Sequence, residues 1–431
     1  MMRRILLSQP DYERQLNALN EASSLFDPEI ERRTRAIADA VLEKGDQALI
    51  EFTKRFDGAE LSSEQLRVSP KELARANSAF PQTLRRSVAE ARKNIEGFSR
   101  HSRRKNWSRI NSHGGEVGER FEGFRRVGIY IPGGTAPLVS TVLMTVTLAK
   151  VAGCSEIVVC TPCSHDGSVN PAIVATAHFA GATEIHKVGG AQAIAAMTYG
   201  TSTILRVDKI FGPGNAYVVM AKRLLFGHVA IDLLPGPSEI LVLADETAPA
   251  RFVAADLLAQ AEQGSGHERT WLITPSAKLI CEVDAEMQLQ LPGLAREHFI
   301  EKALQNNGWL IQSRSMDHAI ELTNQLAPEH CQIIARSPES LAKRIKTAGA
   351  IFIGPFSPTV VGDYVAGPSH VLPTGGVGRS FSGLTVDQFQ RRTSIVKYNR
   401  AALKRSLGSL SNLAEVEGLS AHAESAKVRF K

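Results

Sequence analysis

The chain has 431 residues, 43% of them hydrophobic and 22% charged, and a formal net charge of +6. These values exclude a fibrous or disordered protein, and the length exceeds what one hydrophobic core serves, so two or more domains are expected. Five cysteines, an odd number, exclude a fully paired disulfide framework and fit a reducing cytoplasm.

Taken in chain order, residues 1–7 hold an apolar run too short for a signal peptide, and residues 1–25 read as a short helical arm. Asp27-Pro28-Glu29 marks a helix start with proline at the first helical position, and residues 31–56 keep helical apolar spacing. Between Arg85 and Arg126 stand twelve Lys or Arg against five Asp or Glu. That density could serve a polyanion, but no nucleic-acid motif accompanies it. A solvated helix and loop is the simpler reading, so no nucleic-acid partner is expected.

From residue 127 the texture changes. Residues 127–131 form a short apolar strand, followed by Pro132-Gly133-Gly134 and a helical segment over 137–151. The apolar stretch 136–154 is interrupted by Ser, Thr and Lys, and reads as a buried helix rather than a membrane span. A strand over 156–160, a helix over 171–180 and strands over 185–188, 208–211, 230–234 and 240–244 continue the alternation. Such spacing means a parallel sheet covered by helices on both faces. The same texture near residues 271–273, 309–311 and 351–353 predicts a second α/β unit. After Gly383 the chain turns helical and polar, with no sheet of its own, and a partner subunit is a natural place for such a tail to pack.

Five features could carry chemistry. Open parallel sheets bind ligands beyond the carboxyl ends of their strands, where helix N-termini offer N–H groups to anions. Three glycine turns fall there: Pro132-Gly133-Gly134, Gly189-Gly190-Ala191-Gln192 and Gly212-Pro213-Gly214-Asn215. None completes G-x-G-x-x-G, so a dinucleotide and plain tight turns both remain open. Glu329-His330 sets two proton acceptors of different basicity side by side, as an alcohol-to-acid oxidation needs, although such a pair is also common on surfaces. A glycine- and proline-punctuated loop carries Asp363 and His370. The tail carries Glu417 and His422. Gln260 and Gln263, three apart, share one face of a helix that Gly264-Ser265-Gly266 should end. Cys160 and Cys163 lack the second pair of a zinc ribbon, and Cys331 fits a buried apolar role better than a catalytic thiol.

Together these segments resemble the histidinol dehydrogenase family. The resemblance covers nearly the whole chain beyond residue 120. It rests on residues 128–134 (GIYIPGG), 188–193 (VGGAQA), 212–215 (GPGN), 236–239 (GPSE), 327–330 (APEH), 362–364 (GDY), 370–374 (HVLPT) and 417–422 (EGLSAH). It implies oxidation of L-histidinol to L-histidine with two NAD, through a bound aldehyde. It implies two Rossmann-like parallel-sheet domains, one inserted in the other: 26–126 with 238–380, and 127–237 for NAD. The tail, 381–431, would cross to the partner of a homodimer and complete its active site. By that resemblance Glu329 and His330 are the acid–base pair, and Tyr130, Gln192 and Asn215 contact NAD. Ser238, His370 and Glu417 line the substrate pocket. Zinc is held by Gln260, Asp363, His422 and the position filled here by Gln263, where the family carries histidine. Gln260, Asp363, His422 and His330 would also touch the substrate. His267 could stand in for the missing imidazole, but it lies past the Gly-Ser-Gly break. Pro235 and Ser369 stand where the family usually has Ala and Asn. A paralogue acting on another amino alcohol or diol, a metal-poor low-activity homologue and a non-catalytic dimer are the alternatives.

Overall fold

The chain opens on a strand. In the computed structural model, which describes residues 2–19, 27–133, 136–263 and 266–431, β1 (Arg3–Ile5) precedes α1 (Tyr12–Ala18). The rest of the expected arm, Gly134 of the first glycine turn and Gly264-Ser265 lie outside the described residues. The helix α2 (Pro28–Lys44) begins at Pro28, behind an Asp27 carboxylate that accepts from the N–H groups of Glu29 and Ile30. It buries Thr34, Ile37, Ala38 and Val41, one face of a 3.6-residue period. Gly45, at φ 57, interrupts the periodic stretch, which resumes as α3 (Asp46–Asp57). After α4 (Pro70–Ala79) and α5 (Gln82–Ser102), the strands β2 (Trp107–Ile110) and β3 (Glu116–Gly123) form an antiparallel hairpin.

The next run is β4 (Arg126–Tyr130), α6 (Val139–Ala152), β5 (Glu156–Cys160), α7 (Pro171–Ala180), β6 (Glu184–His186), α8 (Gly190–Tyr199), β7 (Lys209–Phe211), α9 (Ala216–Leu225) and β8 (Ala230–Ile231). Its five strands pair in parallel in the order β6-β5-β4-β7-β8. Then follow β9 (Glu239–Ala244), α10 (Ala250–Ala261), β10 (Arg269–Thr274), α11 (Ala277–Gln290), α12 (Glu297–Asn307), β11 (Gly308–Gln312), α13 (Met316–Leu326), β12 (His330–Ile334), α14 (Pro338–Ala342) and β13 (Ala350–Ile353). These strands, with β1 at the edge, make a parallel six-stranded sheet, β1-β11-β10-β9-β12-β13. The first unit is thus inserted between β1 and β9 of the second, and each sheet winds outward in both directions from a central strand. The chain closes with α15 (Thr359–Tyr364), β14 (Gln390–Lys397), α16 (Arg400–Val416) and α17 (Ser420–Lys427).

Helices on both faces leave β4 and β12 buried at every position, as parallel strands require. Each Val, Leu or Ile so enclosed contributes about 1.5–3 kcal/mol. Two groupings differ from the sequence expectation. Residues 28–102 do not join 238–380: α2 packs on α8 and α9, α4 on α7, and α5 on α6, so these helices clothe the five-stranded sheet. The tail does have a sheet, because β14 pairs antiparallel with β3 along eight residues, from Gln390 opposite Gly123 to Lys397 opposite Glu116.

The two sheets present opposite edges to function. Tyr130 ends β4, and the glycine turns follow the carboxyl ends of β6 and β7. Glu239, Arg269, His330 and Ala350 instead begin β9, β10, β12 and β13.

Candidate active site

A cavity of ≈1230 Å³ lies over the carboxyl ends of β4, β5, β6 and β7. Tyr130, Gln192 and Asn215 all line it, so the structure brings together the three residues assigned to the dinucleotide. The Tyr130 hydroxyl accepts from the Gly190 N–H at 3.1 Å, fixing the start of α8, and burial pushes its pKa up to about 12. Asn215 caps α9, its Oδ1 accepting from the N–H groups of Tyr217 and Val218 at 3.1 Å each. The turn before it is clamped from below. The buried Lys222 ammonium donates to the carbonyls of Gly212 (3.0 Å) and Leu233 (2.8 Å) and to the Asp232 carboxylate, which accepts from the Gly212 N–H at 2.8 Å. An open cleft with helix N-termini along its floor suits a dinucleotide pyrophosphate. These residues fit NAD.

The second site is a cavity of ≈360 Å³ lined by His330, Phe352, Asp363 and His370 among others. His330 opens β12, where α13 ends at Ala327 in the left-handed region (φ 47) and Pro328 follows. The ring Nδ1 lies 2.8 Å from the Glu239 carbonyl oxygen. A carbonyl only accepts, so Nδ1 carries the hydrogen and Nε2 keeps a free lone pair. That Nε2 is buried without a hydrogen-bond partner; the Asp363 carboxylate stands 3.8 Å away, beyond bonding distance. Burial lowers the His330 pKa to about 4, so the ring is neutral and competent as a base near pH 7.

Glu329 is fully buried. Its Oε2 accepts from the Glu239 N–H at 2.7 Å, and its side chain also bonds Ser238. Desolvation raises its pKa well above the usual carboxylate range despite that N–H, with the carboxyls of Glu239 and Asp363 adding to the rise. His370 is likewise fixed: its Nδ1 lies 3.0 Å from the Asp363 carbonyl oxygen, and its Nε2 accepts from the Thr141 hydroxyl at 3.2 Å.

Sequence reasoning named Ser238, Glu329, His330, Asp363 and His370, and the structure gathers them. It missed Glu239. This residue holds both members of the acid–base pair through its own N–H and carbonyl, while its side chain accepts from the Gly375 N–H at 3.0 Å, with Arg269 at 3.7 Å. A carboxylate heading an otherwise apolar strand was the available signal.

The metal positions differ in their exposure. Gln260 is buried near the end of α10 with its Nε2 unpartnered. The helix stops at Ala261, and Gln263 is exposed in the following turn. His267 is exposed too, and Glu417 and His422 stand exposed on the tail. Among the described residues no group of three or more His, Cys, Asp or Glu is placed to hold a metal ion. Cys331 and Cys160 are buried with thiols pushed up to about 12, and that of Cys163 to about 11, which leaves them unreactive.

The comparisons with known proteins agree along the chain's length. A sequence model described as histidinol dehydrogenase matches residues 20–430. The histidinol dehydrogenase of Geobacillus kaustophilus is 45% identical over 93% of this chain and 95% of its own, and that of a Synechococcus strain is 46% identical over 93% and 92%. The crystal structure of histidinol dehydrogenase from Elizabethkingia anophelis superposes with a TM-score of 0.94 at 36% identity, covering 100% of this chain and 98% of that one. The chain belongs to the histidinol dehydrogenase family and is an oxidoreductase of that kind.

Proposed function

We propose that the chain oxidises L-histidinol to L-histidine in two two-electron steps, with NAD in the larger cavity and the amino alcohol in the smaller one. The observation that carries this is the buried, unpartnered Nε2 of His330, aimed at a pocket that holds an imidazole and a carboxylate on an apolar wall. Pro137 lines the larger cavity, and Thr141, within the first turn of α6, reaches His370 in the smaller one, so a single turn of helix links the two. The paralogue reading is not favoured, because the relatives match along nearly the whole chain under one name.

Bound NAD supplies a hydride acceptor. His330 Nε2 takes the hydroxyl proton as the alcohol carbon loses its hydride, leaving an aldehyde that the enclosed pocket retains. Glu329, its basicity raised by burial, takes a proton from water as that water adds to the carbonyl carbon. The carbonyl oxygen takes that proton to complete the diol. His330, its first proton released to solvent, takes a second hydroxyl proton as a second hydride leaves to a second NAD in the larger cavity, giving the acid. Two NADH should form per histidinol. His330→Gln should lower kcat by roughly 10²–10⁴-fold with the thermal midpoint unchanged. Turnover within threefold of the parent would remove His330 from the role of base.

Zinc belongs to this reading as a property of two chains. In a homodimer the partner's tail would bring Glu417 and His422 to Gln260 and Asp363. Gln263 offers a weaker donor than imidazole, so Gln263→His should tighten zinc binding by at least about tenfold, read by titration with a competing chelator. No change would exclude that position from the ligand set. The five free thiols fit a cytoplasmic enzyme, which cell fractionation would check; among the described residues no helix is long and apolar enough to cross a membrane.

A further inference from the structure

The wall of the larger cavity carries three guanidiniums, Arg32, Arg33 and Arg55, and among the described lining residues a single carboxylate, Asp57. The arginines are occupied. Arg32 and Arg33 hold Glu29 at 2.8 and 2.6 Å, and Arg55 lies over the Phe56 ring at 5.3 Å. Asp57 is the last residue of α3, where Gly58 (φ 71) turns the chain away. Its Oδ2 is buried with no hydrogen-bond partner. Burial alone pushes its pKa up to about 6, so it is mostly ionised at neutral pH, and its charge is felt by Tyr130 and Cys163 on the facing wall. A buried carboxylate oxygen left unpaired costs stability unless a ligand supplies a donor.

The Pro137 side of the cavity adjoins the pocket of His370 and must take the reacting ring. Phe52, stacked on Phe56 with centroids 5.6 Å apart, lines the same cavity together with Asp57. A flat base and the sugar attached to it suit that pairing of an aromatic ring and a carboxylate.

We propose that Asp57 selects the cofactor: its free oxygen accepts from the hydroxyls of the adenosine ribose, so that the cavity takes NAD and rejects the 2′-phosphorylated form. The inference rests on the reading that this cavity binds NAD. A ribose diol supplies the donors that Oδ2 lacks. A 2′-phosphate removes one of them and sets a second anion against the carboxylate.

Isothermal titration of the full chain with NAD, NADP, ADP-ribose and 2′-deoxy-NAD tests it, without reliance on turnover. The parent should bind NAD about tenfold or more tighter than NADP or 2′-deoxy-NAD, the effect of one hydrogen bond to a charged group. Asp57→Asn should narrow both ratios and Asp57→Ala should abolish them, chiefly by weakening NAD. Equal binding of NAD, NADP and 2′-deoxy-NAD by the parent, preference for NADP led by the arginines, or ratios unchanged in the variants would overturn the role of Asp57 while NAD binding stood. A parent that bound neither NAD nor ADP-ribose would overturn the cofactor reading and this inference with it. The parent's discrimination against 2′-deoxy-NAD keeps the test decisive even if the variants fold poorly.

Discussion

Ala327 sits at φ 47, one residue before a proline and two before Glu329. A side chain there costs about 1–2 kcal/mol relative to glycine, and the position tolerates only the smallest one. Ala327→Gly should raise the unfolding free energy by up to about 1 kcal/mol, and Ala327→Val should lower it by about 2 kcal/mol or more, both read from urea unfolding. A neutral Val variant would show that the backbone relaxes. Glu239 gives a second prediction. Burial raises its pKa from 4.5 to about 7, so between those values the folded state holds more protons than the unfolded one and stability falls as pH rises. Glu239→Gln should lose less stability than the parent between pH 5 and 7.5; parallel profiles would refute the assignment. At this scale the sequence showed most of the site. Glu329, His330, Asp363 and His370 stood out as candidates among Gly and Pro, but their roles came from the family resemblance, because an acid beside an imidazole is also common on surfaces. Glu239 was not, because it acts mainly through backbone atoms that every residue owns. Asp57 was hidden among the charges of an amphipathic helix.

At the scale of elements, the amino ends of β4, β5 and β6 are tied by one buried cation. Arg126 donates to Glu156 at 2.7 Å and to Glu184 at 2.8 and 2.9 Å, and His186 reaches Glu184 at 3.1 Å. His186 and Arg126 hold the Glu184 carboxyl far below its ordinary range. A depressed folded-state pKa gives stability that is present above the ordinary carboxylate value and lost as pH falls below it. The parent's thermal midpoint should therefore drop between pH 5 and 3, and Glu184→Gln should start lower at pH 7 and fall less. An equal fall in both proteins would place the acid sensitivity elsewhere. The strands of the two parallel sheets were readable as apolar runs of strand length. The strands β2, β3 and β14 were not, because charged pairs such as Arg392 with Glu119 and Lys397 with Glu116 fill their faces and hide the alternation. Nor does periodicity tell a helix which sheet it will cover. The apolar stripe of α2 was visible, and its docking on α8 and α9 was not.

At the scale of the whole molecule, β14 fixes the base of the tail against β3, and α16 and α17 pack on each other. Leu413 (66% exposed) and Val416 (88%) leave an apolar stripe uncovered. Phe356 and Tyr364, chain neighbours of Ser357 and Asp363 in the lining of the smaller cavity, are open to solvent as well. If tails are exchanged between subunits, a chain carrying His330→Ala and one carrying His422→Ala should complement. Each should be nearly inactive alone, yet a mixed dimer with exchanged tails would contain one site with both defects and one with neither. Activity recovered on co-expression and co-purification, up to about half per mixed dimer by the symmetry of such an assembly, is the expected result. No recovery in verified mixed dimers would mean that each chain completes its own site.

The opposed edges of the two sheets have an electrostatic consequence. Above the five-stranded sheet, α7, α8 and α9 point their N-termini at the cavity. At the smaller cavity two helices end instead, α13 at Leu326, shortly before His330, and α15 at Tyr364, next to Asp363. Helix ends of that sense carry partial negative charge, each worth about 0.3–1 kcal/mol to a nearby cation. One pocket is therefore built for a doubly anionic linker and the other for a cationic amine. Oxidation converts that amine's neighbour from an alcohol into a carboxylate, placing a new anion against two negative helix ends. The reaction thus makes its own product a poorer guest. L-Histidine should compete with L-histidinol on the order of tenfold more weakly than the substrate binds, as two such helix ends imply. Equal affinity in a competition titration would remove the helix ends from product release.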